Sequence, residues 1–323
     1  MDLVLGVDAG GTASRAVVAT LTGEIVGRGA AGPGNPLSCG PAAATAIGSA
    51  LRTALTGHDP SRVAGGVLGV AGTSAVSSAE ITAAFAGMWA GLGLSCPMRL
   101  VGDVVTAFAA GTPSPSGRTL IAGTGAIAAR ITDHQIAETA DGLGWLLGDE
   151  GSGRWIGLQA LRHTVRNWPS PRAPESLAVA VAAHAGARSL TDLILWAQAL
   201  PLADIAGLAP PVCSLACAGD RAACEIVAAA ASKLLATLDA IPADGPVVLA
   251  GGLLAGDTPV RDHVLAALRA RRVPSGTGRD PAAAAAWLAA RPLSPRSPAA
   301  LHAALLPPPA VTDPAARTAP TVW

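Results

Sequence analysis

The stretch VLGVDAGGTASRAVVA, Val4 to Ala19, decides how the chain is read. A run of small apolar residues ends at Asp8. Gly10, Gly11 and Thr12 follow, residue types that suit a tight backbone turn, and a second β-like run starts at Ala16. Two accounts fit this hairpin tip. One is a solvent turn, since glycine is the default residue where the backbone takes positive φ. The other is a phosphate cradle, in which bare backbone N–H groups point at an anion and the Asp holds the accompanying cation. The stretch alone does not separate the two, so the rest of the chain has to.

The 323 residues are enough to bury a core and to form two domains. The formal net charge is zero and aromatics are scarce, with no Tyr. That composition argues against nucleic acid and anionic membrane as partners. The chain has one lysine, Lys233, inside the helical-looking run AAAASKLLATL. A Walker A loop needs Gly-Lys-Ser/Thr and protein kinases need a strand lysine, so both are excluded. Phosphate chemistry in this chain must then rely on backbone amides, a metal ion and Arg. Cysteines stand at 39, 96, 213, 217 and 224, without a Cys-x-x-Cys pair or a His at metal-ligand spacing. Buried free thiols of a cytosolic protein are the expectation, with 213, 217 and 224 in a core at helical spacing. No apolar run reaches a membrane span and the start lacks a basic region, so the expected location is cytoplasmic.

Outward from Val4, LVLGVDAG, SRAVVATL and IVGRGAAG read as three hairpin-linked strands. PAAATAIGSALRTAL reads as a helix with Pro41 in its first turn, VAGGVLGVAG as a strand and SSAEITAAFAGMWAGLG as a helix. PMRLVGD is a strand ending at Asp103, with a short helix behind it. After a linker-like break at 112–117 the opening pattern returns: TLIAGTGAIAARITDHQIAE is strand, Gly-rich turn, strand, polar turn, strand. Two half-molecules of one design are therefore expected. A helical stretch from Gly153 to about Ile241 follows, then the strand PVVLAGG, a helix from about Pro259 and a closing helix DPAAAAAWLAAR. The fold class is α/β with mixed sheets. The expected domains are 1–111 plus 279–291, and 112–278 with a helical insertion. Residues 292–323, rich in Pro and Ala, are expected to be a mostly disordered, flexible tail with one short helical turn.

Gly-rich turns close four strands: Asp8 to Thr12, Gly102-Asp103, Gly123-Thr124-Gly125 and Gly251-Gly252. Ligands of α/β sheets bind at such strand ends. A fifth site, GDEGSG at 148–153, leads straight into a helix. Asp149, Glu150 and Ser152 suit a helix N-cap there, but the density of Gly and carboxylates exceeds what a cap needs. The segment Gly27 to Gly32 matches G-x-G-x-x-G, yet it leads into PGNP, which cannot open the helix that a dinucleotide fingerprint requires.

Taken in order, GVDAGGT, GPGNP, GD at 102–103, AGTGA at 122–126, GDEGSG and AGG at 250–252 resemble the actin-like ATPase and sugar kinase superfamily. More narrowly they resemble the N-acetylglucosamine kinase and BadF/BadG/BcrA/BcrD-type ATPase family, over residues 3 to 291. The helical segment 195–227 is similar to that of bacterial amino-sugar kinases. The resemblance implies two actin-like (ribonuclease H-like) domains around an interdomain cleft that takes ATP and Mg²⁺. It puts Asp8 on the metal side, Gly10, Gly11 and Thr12 in a first phosphate loop, and Gly123, Thr124 and Gly125 in a second. Gly251 and Gly252 would lie against the adenosine. Asp103 would be the catalytic base, and Asn35, Gly72, Asp103, Thr124, Gly144 and Asp149 would contact an amino sugar. The implied reaction is phosphorylation of a sugar 6-hydroxyl, N-acetylglucosamine or glucosamine being the acceptor.

The chain departs from that pattern at Ala9, where many relatives have Gly, at Ala126 and Ile127, which replace a polar pair, and at Leu143, which stands for Trp. The GDEGSG segment favours N-acetylglucosamine, whereas a free amine would want an extra carboxylate, for which Glu150 is available. Two other classes belong to the same scaffold. A dehydratase-activating ATPase bridges a dimer through an iron–sulfur cluster and needs suitably placed Cys, and no Gly-Cys pair occurs in the corresponding region. A nucleotide or sugar sensor would show degraded motifs, whereas Asp8, Asp103 and Asp149 are all present. The family's hinge is compatible with a homodimer.

Overall fold

The computed structural model describes residues 2–72, 78–168, 176–199 and 202–307. Parts of the expected helical stretch (169–175 and 200–201) and of the expected tail (308–323) lie outside the described residues. The strands are β1 (Leu3–Ala9), β2 (Ser14–Thr20), β3 (Ile25–Ala31), β4 (Val63–Val70), β5 (Met98–Gly102), β6 (Gly117–Ala122), β7 (Ala126–Thr132), β8 (Gln135–Asp141), β9 (Val247–Ala250) and β10 (Ser275–Thr277). They form two five-stranded sheets, ordered β3-β2-β1-β4-β5 and β8-β7-β6-β9-β10. The second order is the first with each strand shifted by five, so the internal repeat read from the two Gly-Thr turns is real. In the first sheet β1 runs antiparallel to β2 and β2 to β3, whereas β1, β4 and β5 are parallel. In the second, β6, β9 and β10 are parallel. This is the mixed α/β topology of actin-like, ribonuclease H-like domains.

The chain separates into two compact units. Unit 1 comprises residues up to Pro115, Ile131–Ile136 and the described residues from Gly278 onward, and unit 2 comprises Ser116–Arg130 and Ala137–Thr277. In unit 1, alternation along β1 feeds two faces. Leu5 and Val7 join Ile47 and Phe85 in one core, under the helices Ala42–Ala54 and Ala79–Gly91. Gly6 and Asp8 face the other way. There the helix Pro281–Ala290, buried at every position from Ala282 to Ala290, lies so close that a Cβ on Gly6 would meet the Ala282 carbonyl and the Ala286 amide. Unit 2 has its own core, in which Leu120, Leu249, Ile156, Leu234 and Val264 meet.

The G-x-G-x-x-G match in β3 has a packing role. A Cβ at Gly27 would strike the Ala54 carbonyl and one at Gly29 the Ala50 carbonyl, so these glycines let the helix Ala42–Ala54 lie flush on the sheet. Two details differ from the sequence reading. β10 was not expected, because three residues flanked by Pro and Gly carry no strand signal; pairing with β9 creates it. Cys213 is buried as expected, but Cys217 and Cys224 are exposed. The described part of the Pro/Ala-rich segment holds the expected short helix, packed as a cover. Its helix Pro298–Leu305 buries Leu301 and Leu305. The Trp287 indole N–H donates to the Pro298 carbonyl at 2.9 Å. His302 packs edge-on against Trp287, ring centroids 5.2 Å apart, and lies 2.7 Å from the Ala109 carbonyl. Among the described residues no single helix is long and apolar enough to cross a membrane.

Gly6→Ala should therefore push the helix Pro281–Ala290 off β1 and cost about 1–3 kcal/mol, the usual penalty of overpacking. Thermal or urea denaturation reads this directly, and wild-type stability in Gly6→Ala would show that the helix has room to spare.

Candidate functional site

In unit 1 the expected site residues converge at the carboxyl-terminal ends of three parallel strands. Asp8 is near the end of β1, Gly72 follows β4, and Asp103 follows β5. The Ala71 amide donates to the Ala9 carbonyl at 2.9 Å, which ties the segment before Gly72 to the end of β1. The Gly34 amide donates to the Gly10 carbonyl at 3.0 Å, which brings the GPGN segment in as well. Asn35 then meets Gly72: a Cβ on Gly72, whose φ is 71°, would strike the Asn35 Oδ1. That oxygen also accepts the Leu37 amide at 2.8 Å, capping the helix Pro36–Cys39.

The turn between β1 and β2 bears on the opening question through its backbone. The Gly10 amide is spent on the Ala13 carbonyl at 3.0 Å. Gly11 has no positive φ, and a Cβ there would meet nothing within 4 Å. Neither backbone conformation nor packing asks for glycine at 11, and both Gly11 and Thr12 are exposed. A bare, unspent stretch of backbone is what an approaching anion needs.

Unit 2 repeats the theme at the ends of β6 and β9. The Gly123 amide is spent on the Gly125 carbonyl at 2.9 Å. The turn is then latched to the start of the helix Gly153–Arg166. The Gly153 amide donates to the Gly123 carbonyl at 2.7 Å and the Arg154 amide to the Thr124 carbonyl at 3.3 Å, while Ser152 Oγ caps the Trp155 amide at 3.2 Å. A Cβ on Gly123 would lie 3.7 Å from the Gly252 amide, so the Gly-Thr-Gly and Gly-Gly turns are neighbours. At Gly251 the fold itself demands glycine: φ is 80° and a Cβ would strike the Ala122 carbonyl. Gly144, at φ 81°, has open space around it, and its carbonyl accepts the amides of Leu147 and Gly148.

Asp149 is buried, and its carboxylate accepts the Ala126 amide at 3.2 Å and faces Arg154 at 3.5 Å. Asp149, Glu150 and Ser152 thus do more than cap a helix; Asp149 braces the second turn. Asp141, which the sequence reading passed over, holds this segment in place. Its carboxylate oxygens accept the Asp149 amide at 2.6 Å and the Glu150 amide at 2.8 Å. Its signal was hidden because an Asp before a glycine turn reads as loop chemistry.

Charge is concentrated around Asp8. Its carboxyl is pushed from 3.8 up to about 7, first by burial and then by the negative charge of Asp103, with Asp280 adding to the rise and Arg15 opposing it. Asp103 is also raised, chiefly by burial, although the Val104 amide at 3.0 Å holds its carboxylate form. Gly102, not Asp103, occupies the cap position of the helix Asp103–Ala109, so capping does not account for this side chain. Asp280 was read only as the start of a helix. It does cap Pro281–Ala290 through the Ala283 amide at 3.0 Å, and it pairs with Arg28 at 2.8 Å.

A cation fits this environment. Among the described residues no group of three or more His, Cys, Asp or Glu is placed to hold a metal by itself. Mg²⁺ does not need such a cage, since it keeps several waters and is held through one or two carboxylates together with substrate phosphates. Asp8, disfavoured as an anion chiefly by burial and then by Asp103, is a carboxylate that gains from such a charge.

The BadF/BadG/BcrA/BcrD ATPase family matches residues 5–272 of the chain. A presumed N-acetylglucosamine kinase from Chromobacterium violaceum has a similar structure, at TM-score 0.71 and 27% identity, over 89% of this chain and 99% of that one. A second presumed N-acetylglucosamine kinase, from Porphyromonas gingivalis, aligns at TM-score 0.67 and 22% identity over 86% and 94%. A ROK family glucokinase from Streptomyces griseus, solved with glucose and AMPPNP, aligns at TM-score 0.56 and 19% identity over 89% and 99%. No curated protein sequence matches.

The folded chain holds the Asp8 proton more tightly than the unfolded chain does. Stability should therefore fall as pH rises from about 4 to about 7 and stay reduced above that. Asp8→Asn removes this cost. Its Tm should exceed that of the wild type by several degrees at pH 8, with the gain shrinking toward pH 4. A gain independent of pH would show that Asp8 is not the strained carboxylate.

Proposed function

Because the chain belongs to the BadF/BadG/BcrA/BcrD ATPase family, we propose that it is an ATP-dependent amino-sugar kinase. It transfers the γ-phosphoryl group of ATP to the 6-hydroxyl of N-acetylglucosamine, with glucosamine as the alternative acceptor. The observation that carries the reading is the Asp8–Asp103 pair at the ends of parallel strands in unit 1, two carboxyls whose pKa values are raised by burial and, at Asp8, by the other's charge.

The roles divide by chemistry. Phosphoryl transfer is mainly positioning and charge stabilisation. Gly11 and Thr12 in the first turn, and Thr124 and Gly125 in the second, offer amides to the phosphates. Gly10 and Gly123 spend theirs in shaping those turns. Gly251 and Gly252 receive the adenosine. Mg²⁺ bound through Asp8 would supply charge neutralisation at the β- and γ-phosphates. Asp103 accepts the proton of the 6-hydroxyl while that oxygen attacks the γ-phosphorus in line; the bond to the β-phosphate oxygen breaks and ADP leaves. A raised pKa suits this task, because a base works best when its pKa approaches the working pH. Asn35, Gly72, Thr124, Gly144 and Asp149 orient the sugar.

ADP release with Mg-ATP against N-acetylglucosamine, glucosamine, N-acetylmannosamine and glucose tests the reading, and one amino sugar should stimulate it strongly. Asp103→Asn should lower turnover by ~10²–10⁴ with Tm retained. ATP binding without stimulation by any sugar would instead favour the sensor or the dehydratase-activating ATPase, and a fully active Asp103→Asn would remove the base from Asp103.

A further inference from the structure

Trp145, Leu146, Asp149, Glu150, Arg154 and Arg162 line a recess of about 180 Å³ in unit 2. Glu150 is the carboxylate there that a substrate ammonium would seek. It is already engaged, because the ammonium of Lys233 lies 2.9 Å from its Oε2. Lys233 is the one lysine in the chain.

Backbone packing sets this ion pair. Gly151, at φ 81°, approaches the helix Arg221–Asp239 so closely that a Cβ would strike the Ala230 carbonyl. Lys233 lies three residues further on, on the same helix face. The contact that seats the GDEGSG turn thus also places the lysine beside Glu150. Asp141 fixes the other partner by holding the Glu150 amide at 2.8 Å. The two side chains remain 53% and 42% exposed, and an ion pair in that setting adds little stability. What the pair changes is the local charge. Asp149 is committed to the Ala126 amide and Arg154, and Glu150 is neutralised. The recess therefore has no carboxylate to spare, while Arg154 and Arg162 stand in its wall.

We propose that Lys233 is a specificity-determining residue: by occupying Glu150 it closes the recess to an amino sugar with a free, cationic amine and favours one whose nitrogen is acylated and neutral. The proposal rests on the kinase reading and deepens it. A sugar ammonium would have to compete with that of Lys233 for Glu150, in a recess whose wall already carries two guanidinium groups. A neutral amide meets no such opposition.

The test compares kcat/KM for N-acetylglucosamine and glucosamine in the wild type, Lys233→Met, Lys233→Arg and the double variant Lys233→Met/Glu150→Gln. The wild type should prefer the acetylated sugar. Lys233→Met should shift the ratio toward glucosamine roughly tenfold, the scale of one well-placed charge near a surface, chiefly through KM. Lys233→Arg should keep the wild-type ratio, and the double variant should return to it. Lys233→Gln reads the same ratio should Lys233→Met fail to fold. An unchanged ratio in an active Lys233→Met or Lys233→Gln overturns the proposal. If neither sugar gives ADP release in any variant, the reading of these two sugars as acceptors fails and the proposal falls with it.

Discussion

The close contact between the helix Pro281–Ala290 and β1 is the constraint on which the rest of unit 1 depends. Gly6 leaves only a hydrogen atom between strand and helix, and a run of alanines keeps the helix surface flat enough to use that space. Asp8 is two residues beyond Gly6, on the same face of the strand. Asp280 caps the helix at the end that faces Asp8 electrostatically. The depth at which the helix seats therefore bears on how deeply Asp8 is buried and on how strongly Asp280 acts on it. The pKa of Asp8 is as much a packing outcome as an electrostatic one.

Unit 2 reaches a comparable result by other means. Its first turn is not clamped by a second loop, as Gly10 is by Gly34. The opening amides of the helix Gly153–Arg166 reach back to the carbonyls of Gly123 and Thr124. These amides would otherwise be unsatisfied at a helix start, so latching the turn costs the helix nothing. Asp149 and Asp141 extend the latch into a chain: Asp141 holds the backbone of Asp149, and Asp149 holds the backbone of Ala126. The two halves share a sheet order but divide their labour, with clustered carboxylates in one and ordered backbone in the other.

Much of this was legible in the residues. The alternation of strands and helices, the repeat and the glycine turns at strand ends all follow from local pattern, and local pattern survives folding because it is short in range. The positions of Asp8, Gly11, Asp103 and Gly123 were therefore readable. What stayed hidden depends on partners outside the residue's own turn, strand or helix. Asp280 looked like a cap because its second role needs β1, more than 250 residues earlier. Asp141 looked like a turn residue because the amides that it holds come from a segment that it does not adjoin in regular structure. Glu150 looked like a free carboxylate because the lysine that occupies it lies on a helix some 80 residues on. Glycine was ambiguous throughout: Gly6, Gly27 and Gly29 serve helix packing, Gly251 serves backbone conformation, and Gly11 serves neither.

The discontinuity of unit 1 has a consequence for biosynthesis. Its central strand leaves the ribosome well before the helix that covers Gly6 and Asp8, which emerges only after the whole of Ser116–Thr277 has been made. Unit 2 is nearly contiguous and can condense while the chain is still being translated. The earlier-made strands must wait with one apolar face uncovered. Translation at about 5–20 residues per second leaves that face open for many seconds, long enough for a nascent-chain chaperone to act before the alanine helix arrives to close it.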